Sequence, residues 1–97
     1  MKCNIPQRVL REIISFAKEN NVERVILFGS RAKGCHTERS DIDIAATGGD
    51  FDQFYWALKE RAHTLLMFDI VNMSENISSE LRNEIEKYGV VLYEKAR

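Results

Sequence analysis

Cysteine, histidine and proline are scarce in this 97-residue chain, at two, two and one. Cys3 and Cys35 are too few and too far apart for a disulfide framework, so a reduced, cytosolic state is expected. Cys35 and His36 are adjacent, but no CxxC or HxxxH set accompanies them, and both cysteines read as loop residues rather than zinc ligands. Neither His36 nor His63 has a serine or cysteine nucleophile at a recognisable spacing, which argues against a hydrolase triad. His63 is expected to end a helix, where a cation is favourable. A surplus of either charge is also missing: 14 basic and 15 acidic side chains leave a net charge of −1. No global field draws the chain to nucleic acid or to an anionic membrane, and direct nucleic-acid binding is not expected. No apolar run approaches a membrane span, and MKCNIPQRVLREII passes too quickly into charged sequence for a signal peptide. A cytoplasmic location with no membrane contact is expected.

What is present is the composition of a folded protein, 44% apolar and 30% charged. Residues 1–97 are expected to form a single domain with one modest core and no room for a second, substrate-holding domain. Whatever else a reaction needs is expected from another chain. Val9, Leu10, Ile13, Ile14 and Ala17 recur at helical spacing from Pro6 to Glu19, and Asn20-Asn21 ends that helix. Val25 to Phe28 reads as a buried strand stopped by Gly29, with Ser30 to Lys33 as a helical turn. Asp41 to Ala46 reads as a second strand, closed by Thr47-Gly48-Gly49. Phe51 to Ala62 reads as a helix capped by Asp50. Its Phe51, Phe54 and Tyr55 share the core face and Trp56 lies off it, a candidate for an interface. Leu65 to Val71 is a third strand, Ser78 to Tyr88 a helix stopped by Gly89, and Val90 to Tyr93 a fourth strand. Strands alternating with helices predict an α/β (α+β) fold, a small mixed β-sheet packed with helices.

The chemistry gathers in FGSRAKGCHTERSDIDI, residues 28–44. Residues two apart in a strand share a face, so Asp41 and Asp43 project together while Ile42 and Ile44 enter the core. Two like charges that close call for a cation or a shared proton. Mg²⁺ meets that need through one or two carboxylates plus substrate phosphates. A third acid, Asp69, interrupts the apolar run LLMFDIV and must lie at an edge, pair with a cation or ligate metal. If its strand lies beside that of Asp41 and Asp43, the three acids converge. An acid pair is also what the solvated face of an edge strand looks like, and that reading stays open from spacing alone. Gly29 and Ser30 leave a strand for a helical turn, where backbone N–H groups favour an anion, and Arg31 and Lys33 add positive charge. A Gly-Ser pair, ten residues and Asp-x-Asp together arise by chance in roughly one chain in a thousand of this length.

That pattern, Gly29-Ser30 followed after ten residues by Asp41-Ile42-Asp43, resembles the nucleotidyltransferase signature of the DNA polymerase β superfamily. The GSRAKG form and short length are similar to the minimal nucleotidyltransferases, the MntA-like antitoxins paired with HEPN-domain toxins. The resemblance runs from about Val22 to Tyr93. It implies the polymerase β-type fold, with Gly29 and Ser30 on the triphosphate and Arg31 and Lys33 in support. It further implies Asp41 and Asp43 on two Mg²⁺ ions and Asp69 on the ion that activates the incoming hydroxyl. The implied reaction is AMP transfer from ATP to a tyrosine of a HEPN ribonuclease toxin, a type VII toxin–antitoxin system, within a hetero-oligomer. Two alternatives stand beside it. One is a non-catalytic antitoxin that masks its toxin by binding; the other is a nucleotidyltransferase acting on a small molecule.

Overall fold

The alternation of apolar runs and amphipathic segments resolves into one sheet and its covering helices in the computed structural model, which describes residues 4–96. In chain order the elements are α1 (Gln7–Glu19), β1 (Arg24–Phe28), α2 (Gly29–Lys33), β2 (Ile42–Thr47), α3 (Phe51–Arg61), β3 (Phe68–Asn72), α4 (Ser79–Tyr88) and β4 (Val90–Glu94). Cys3 lies outside the described residues; Cys35 is an exposed free thiol. No helix among the described residues is long and apolar enough to cross a membrane.

The sheet order is β3-β2-β1-β4. β1 is antiparallel to β2 and β4, whereas β2 and β3 are parallel, joined by the α3 crossover that parallel neighbours require. This is the small mixed α/β sheet that the element order predicts. Alternation along the strands sorts the side chains into two faces. Val25, Leu27, Ile42, Ile44, Ala46 and Phe68 bury one face against Ile13, Phe16 and Ala17 of α1 and Phe54, Ala57 and Leu58 of α3. The other face is less covered: Phe28 and Ala45 pack under Ile85 of α4, with Ile26, Val71 and Leu81 around them. Two positions before Ala45 and before Val71, on that second face, stand Asp43 and Asp69.

Helix ends follow local chemistry. Asp50 caps α3 by accepting from the Gln53 N–H at 3.2 Å, and Ser78 caps α4 by accepting from the Leu81 N–H at 3.1 Å. Gly89 ends α4 in an extended conformation (φ −65°), not the left-handed one usual for a terminal glycine. It is there for closeness, since a Cβ would overlap the Ile85 carbonyl and the Ile26 side chain.

Two expectations are corrected. β3 begins at Phe68 rather than Leu65, because a third strand needs a partner and β2 begins at Ile42, whose N–H meets the Met67 carbonyl at 2.8 Å. Leu65, upstream of that bond, is fully exposed. His63 does not end α3, which stops at Arg61. It ties the loop after α3 to α1: its backbone N–H donates to Glu12 Oε1 at 2.8 Å, and its Nδ1 lies 2.5 Å from Glu12 Oε2.

Candidate active site

Asp43 is the residue on which the sheet register converges. It lies opposite Phe28 at the end of β1 and opposite Asp69 on β3. Directly opposed residues leave the sheet on the same face, so Asp43 and Asp69 are neighbours across the parallel pair. Asp41 sits just before β2; it and Asp69 are exposed, while Asp43 is half-buried. Burial, then the negative charges of Asp69 and Asp41, push the Asp43 carboxyl above the usual carboxylate range. The three acids singled out from the sequence thus share one electrostatic environment.

The glycine turn meets them there. Gly29 has φ +74°, and a Cβ at that position would overlap the Asp43 carboxylate. Only glycine satisfies both conditions, and so the backbone that opens α2 lies against the acid of β2. Ser30 is half-buried in the first turn, and its carbonyl accepts from the Cys35 N–H at 3.1 Å. Gly34, at φ +80°, closes the turn.

The two cations of the turn have different surroundings. Arg31 is 3% exposed and points inward. Its Nη1 donates to the Asn4 carbonyl at 2.8 Å, its Nε to the Ser40 carbonyl at 3.1 Å, and its Nη2 to the Glu38 and Thr37 carbonyls at 3.2 and 3.4 Å. Four of its N–H donors are thus committed to backbone carbonyls, which sets this side chain apart from the exposed Lys33. Lys33 pairs with Glu84 of α4 at 2.7 Å and lies 4.8 Å over the Tyr88 ring. The hydrogen bond it donates to the Glu84 carboxylate raises its pKa.

Lys59 has no counterpart in the sequence reading. Its Nζ donates to the Phe68 carbonyl at 2.6 Å, on the peptide that precedes Asp69. A lysine near a helix end is ordinary, and no spacing signals that bond.

The donor set suits a hard cation, since Asp41, Asp43 and Asp69 all offer carboxylate oxygens. Among the described residues no three His, Cys, Asp or Glu side chains close round one point as a finished cage would. Mg²⁺ does not require a cage, because it keeps several waters and shares its sphere with substrate phosphates. An open pair of acids with a third in register therefore fits Mg²⁺ better than a buried structural metal. The broad hollow lined by Glu23, Arg24, Thr47 and Glu94 is at the opposite end of β1 and β2 and has no part in this site.

A left-handed glycine turn against one acid of an Asp-x-Asp strand, with a third acid on the parallel neighbour, defines the class of nucleotidyl-transfer proteins. The chain belongs to the polymerase beta nucleotidyltransferase family, whose model matches residues 11–97. A Methanocaldococcus jannaschii protein named as a candidate protein adenylyltransferase is 33% identical over 82 residues, 80% of this chain and 79% of that one. A crystal structure of a toxin–antitoxin with AMP-PNP superposes with a TM-score of 0.71 at 25% identity, covering 89% of this chain and 73% of that one. The MNT antitoxin complex with tri-AMPylated Shewanella oneidensis HEPN toxin shares the fold, with a TM-score of 0.64 at 23% identity, over 92% of this chain and 72% of the other.

Proposed function

We propose that this chain is an Mg²⁺-dependent protein adenylyltransferase that moves AMP from ATP to a tyrosine hydroxyl of a HEPN ribonuclease toxin and so acts as its antitoxin. The observation that carries the reading is the register of Asp43 with Asp69, beside a Gly29 whose backbone abuts the Asp43 carboxylate. The family membership, the adenylyltransferase relative and the nucleotide-bound toxin–antitoxin structure support it.

In this reading Gly29 and Ser30 bind the triphosphate through the N–H groups and hydroxyl of the turn, and Asp41 and Asp43 hold two Mg²⁺ ions. Once bound, the ions would neutralise the carboxylates and triphosphate and stabilise the entering and leaving oxygens. Asp69, exposed on edge strand β3, faces the acceptor and takes the hydroxyl proton on a carboxylate oxygen. The tyrosine oxygen bonds to the α-phosphorus, the bond from that phosphorus to the bridging oxygen breaks, and pyrophosphate leaves with the electron pair. Lys33 is available to the phosphates only by leaving Glu84. The acceptor comes from the partner, which makes a cytoplasmic hetero-oligomer with the toxin the working form.

The test is label transfer from α-labelled ATP to the co-purified toxin. The double variant Asp41→Asn/Asp43→Asn is expected to lose transfer while keeping its fold by circular dichroism; full transfer by that variant overturns the proposal. A second reading, masking without chemistry, is favoured by the apolar residues left exposed, Trp56 at 56% and Met67 at 64%. Cells protected from the toxin by the same double variant would establish masking instead.

A further inference from the structure

The structure assigns Arg31 the role of a positioning residue that sets the loop from which Asp41 projects, acting through the Ser40 carbonyl; the inference rests on the metal-binding reading of Asp41 and Asp43.

Arg31 is the one buried charged side chain among the described residues. Removing a guanidinium from water is costly without compensation. Its hydrogen-bond partners among the described residues are carbonyls: those of Asn4, Thr37, Glu38 and Ser40, which occupy four of the five N–H donors. Three of these four lie in the irregular segment between α2 and β2. That segment has few restraints of its own: Thr37 N–H to Ser40 Oγ at 2.9 Å, Arg39 N–H to Thr37 Oγ1 at 3.3 Å and Ser40 N–H to the Thr37 carbonyl at 3.2 Å. The guanidinium ties three carbonyls of this segment to one side chain.

The Ser40 carbonyl is the decisive contact. It belongs to the peptide unit whose nitrogen is that of Asp41, so holding it fixes the plane from which the Asp41 Cα and side chain depart. Asn4 closes the clamp from the other side, donating from Nδ2 to the Arg31 carbonyl at 2.6 Å while its own carbonyl accepts from Nη1. Arginine is required in this position because a planar fork reaches several acceptors at once. A lysine ammonium carries the same charge from a single point and cannot span them.

The substitution that separates positioning from phosphate contact is Arg31→Lys, which keeps the charge and loses the fork. Three measurements on the full chain decide: amide hydrogen exchange of residues 35–41, Mn²⁺ affinity without nucleotide, and AMP transfer to the toxin. With Arg31→Lys, exchange in 35–41 should rise at least about tenfold while the α1/α3 core is unchanged, and Mn²⁺ affinity should fall about 10–100-fold, as for other residues that orient metal ligands. Transfer should fall in kcat with KM for ATP nearly constant. A raised KM for ATP, with loop exchange and Mn²⁺ affinity at wild-type values, overturns the role and makes Arg31 a direct phosphate ligand. Should Arg31→Lys not fold, Asn4→Ala removes the side-chain bond to the Arg31 carbonyl and loosens the clamp while leaving the guanidinium in place. Its loop exchange and Mn²⁺ affinity should move in the same direction by less, and no movement overturns the proposal. A wild-type protein that neither binds Mn²⁺ nor transfers AMP overturns the proposed function itself. One that does both, with variants that match it, overturns only the role of Arg31.

Discussion

At Asp43, burial and the charges of Asp69 and Asp41 all favour the neutral acid. The folded chain therefore holds this proton more tightly than the unfolded chain, and stability falls as pH rises from the ordinary aspartate range through the raised value. At neutral pH the ionised carboxylate is a burden on the fold when no cation is present. In chelator at neutral pH, Asp43→Asn is expected to melt at a higher temperature than wild type. Added Mg²⁺ should raise the melting temperature of wild type and leave that of the variant unmoved; a variant less stable than wild type in chelator would contradict this account. The same sign governs metal binding. The carboxyl must ionise to hold Mg²⁺, so binding should fade at a higher pH than for an ordinary aspartate. Asp69→Asn, by removing a like charge, should shift that midpoint downward, as titration calorimetry across pH would record. Gly29→Ala meets two penalties at once, a left-handed φ and a Cβ against Asp43, and should cost about 1–3 kcal/mol in chemical denaturation.

Between elements, the bond from the loop after α3 to α1 has its own pH signature. Burial raises the Glu12 pKa, but the side-chain and backbone hydrogen bonds from His63, together with the positive charges of His63 and Arg8, outweigh it and hold the carboxyl below its usual range. A depressed acid contributes stability above its unfolded pKa and loses it as pH falls through the folded one. The stability gap between wild type and Glu12→Gln should accordingly be full at neutral pH and close in acid, which paired denaturation curves at several pH values would show. The helices themselves were legible because their signals are local: Val9, Ile13 and Ala17 recur at one face, and Asp50 and Ser78 stand where caps belong. The acids were legible by type and spacing, since Asp-x-Asp on a strand behind a Gly-Ser turn is a local pattern. What was not legible depends on residues distant in the chain. The start of β3 is set by where β2 begins to offer partners, not by the apolar run that continues upstream to Leu65. Gly89 looks like a left-handed stop until Ile26 is brought against it. Arg31 has the same identity whether it faces a phosphate or four carbonyls, and only the folded loop decides which.

On the scale of the whole molecule, near-neutral charge leaves recognition to local chemistry. With a net charge of −1, the chain should pass through a heparin column at physiological ionic strength, and retention there would reveal a basic surface strong enough to bind polyanions without sequence preference. The sheet also has a temporal order. β1 is one of its two inner strands, with β2 on one side and β4 on the other, secured at that second edge by Arg24 to Glu94 at 2.6 Å and by the Lys95 N–H to the Glu23 carbonyl at 2.7 Å. Of the eight elements, β4 leaves the ribosome last. From the emergence of Phe28 to that of Val90, β1 waits with one edge bare for about 60 residues of synthesis, on the order of 3–12 s. The strands that carry the acids are thus laid down before the strand that seals the sheet, and a nascent chain halted at Tyr88 holds every proposed metal ligand on an unfinished scaffold.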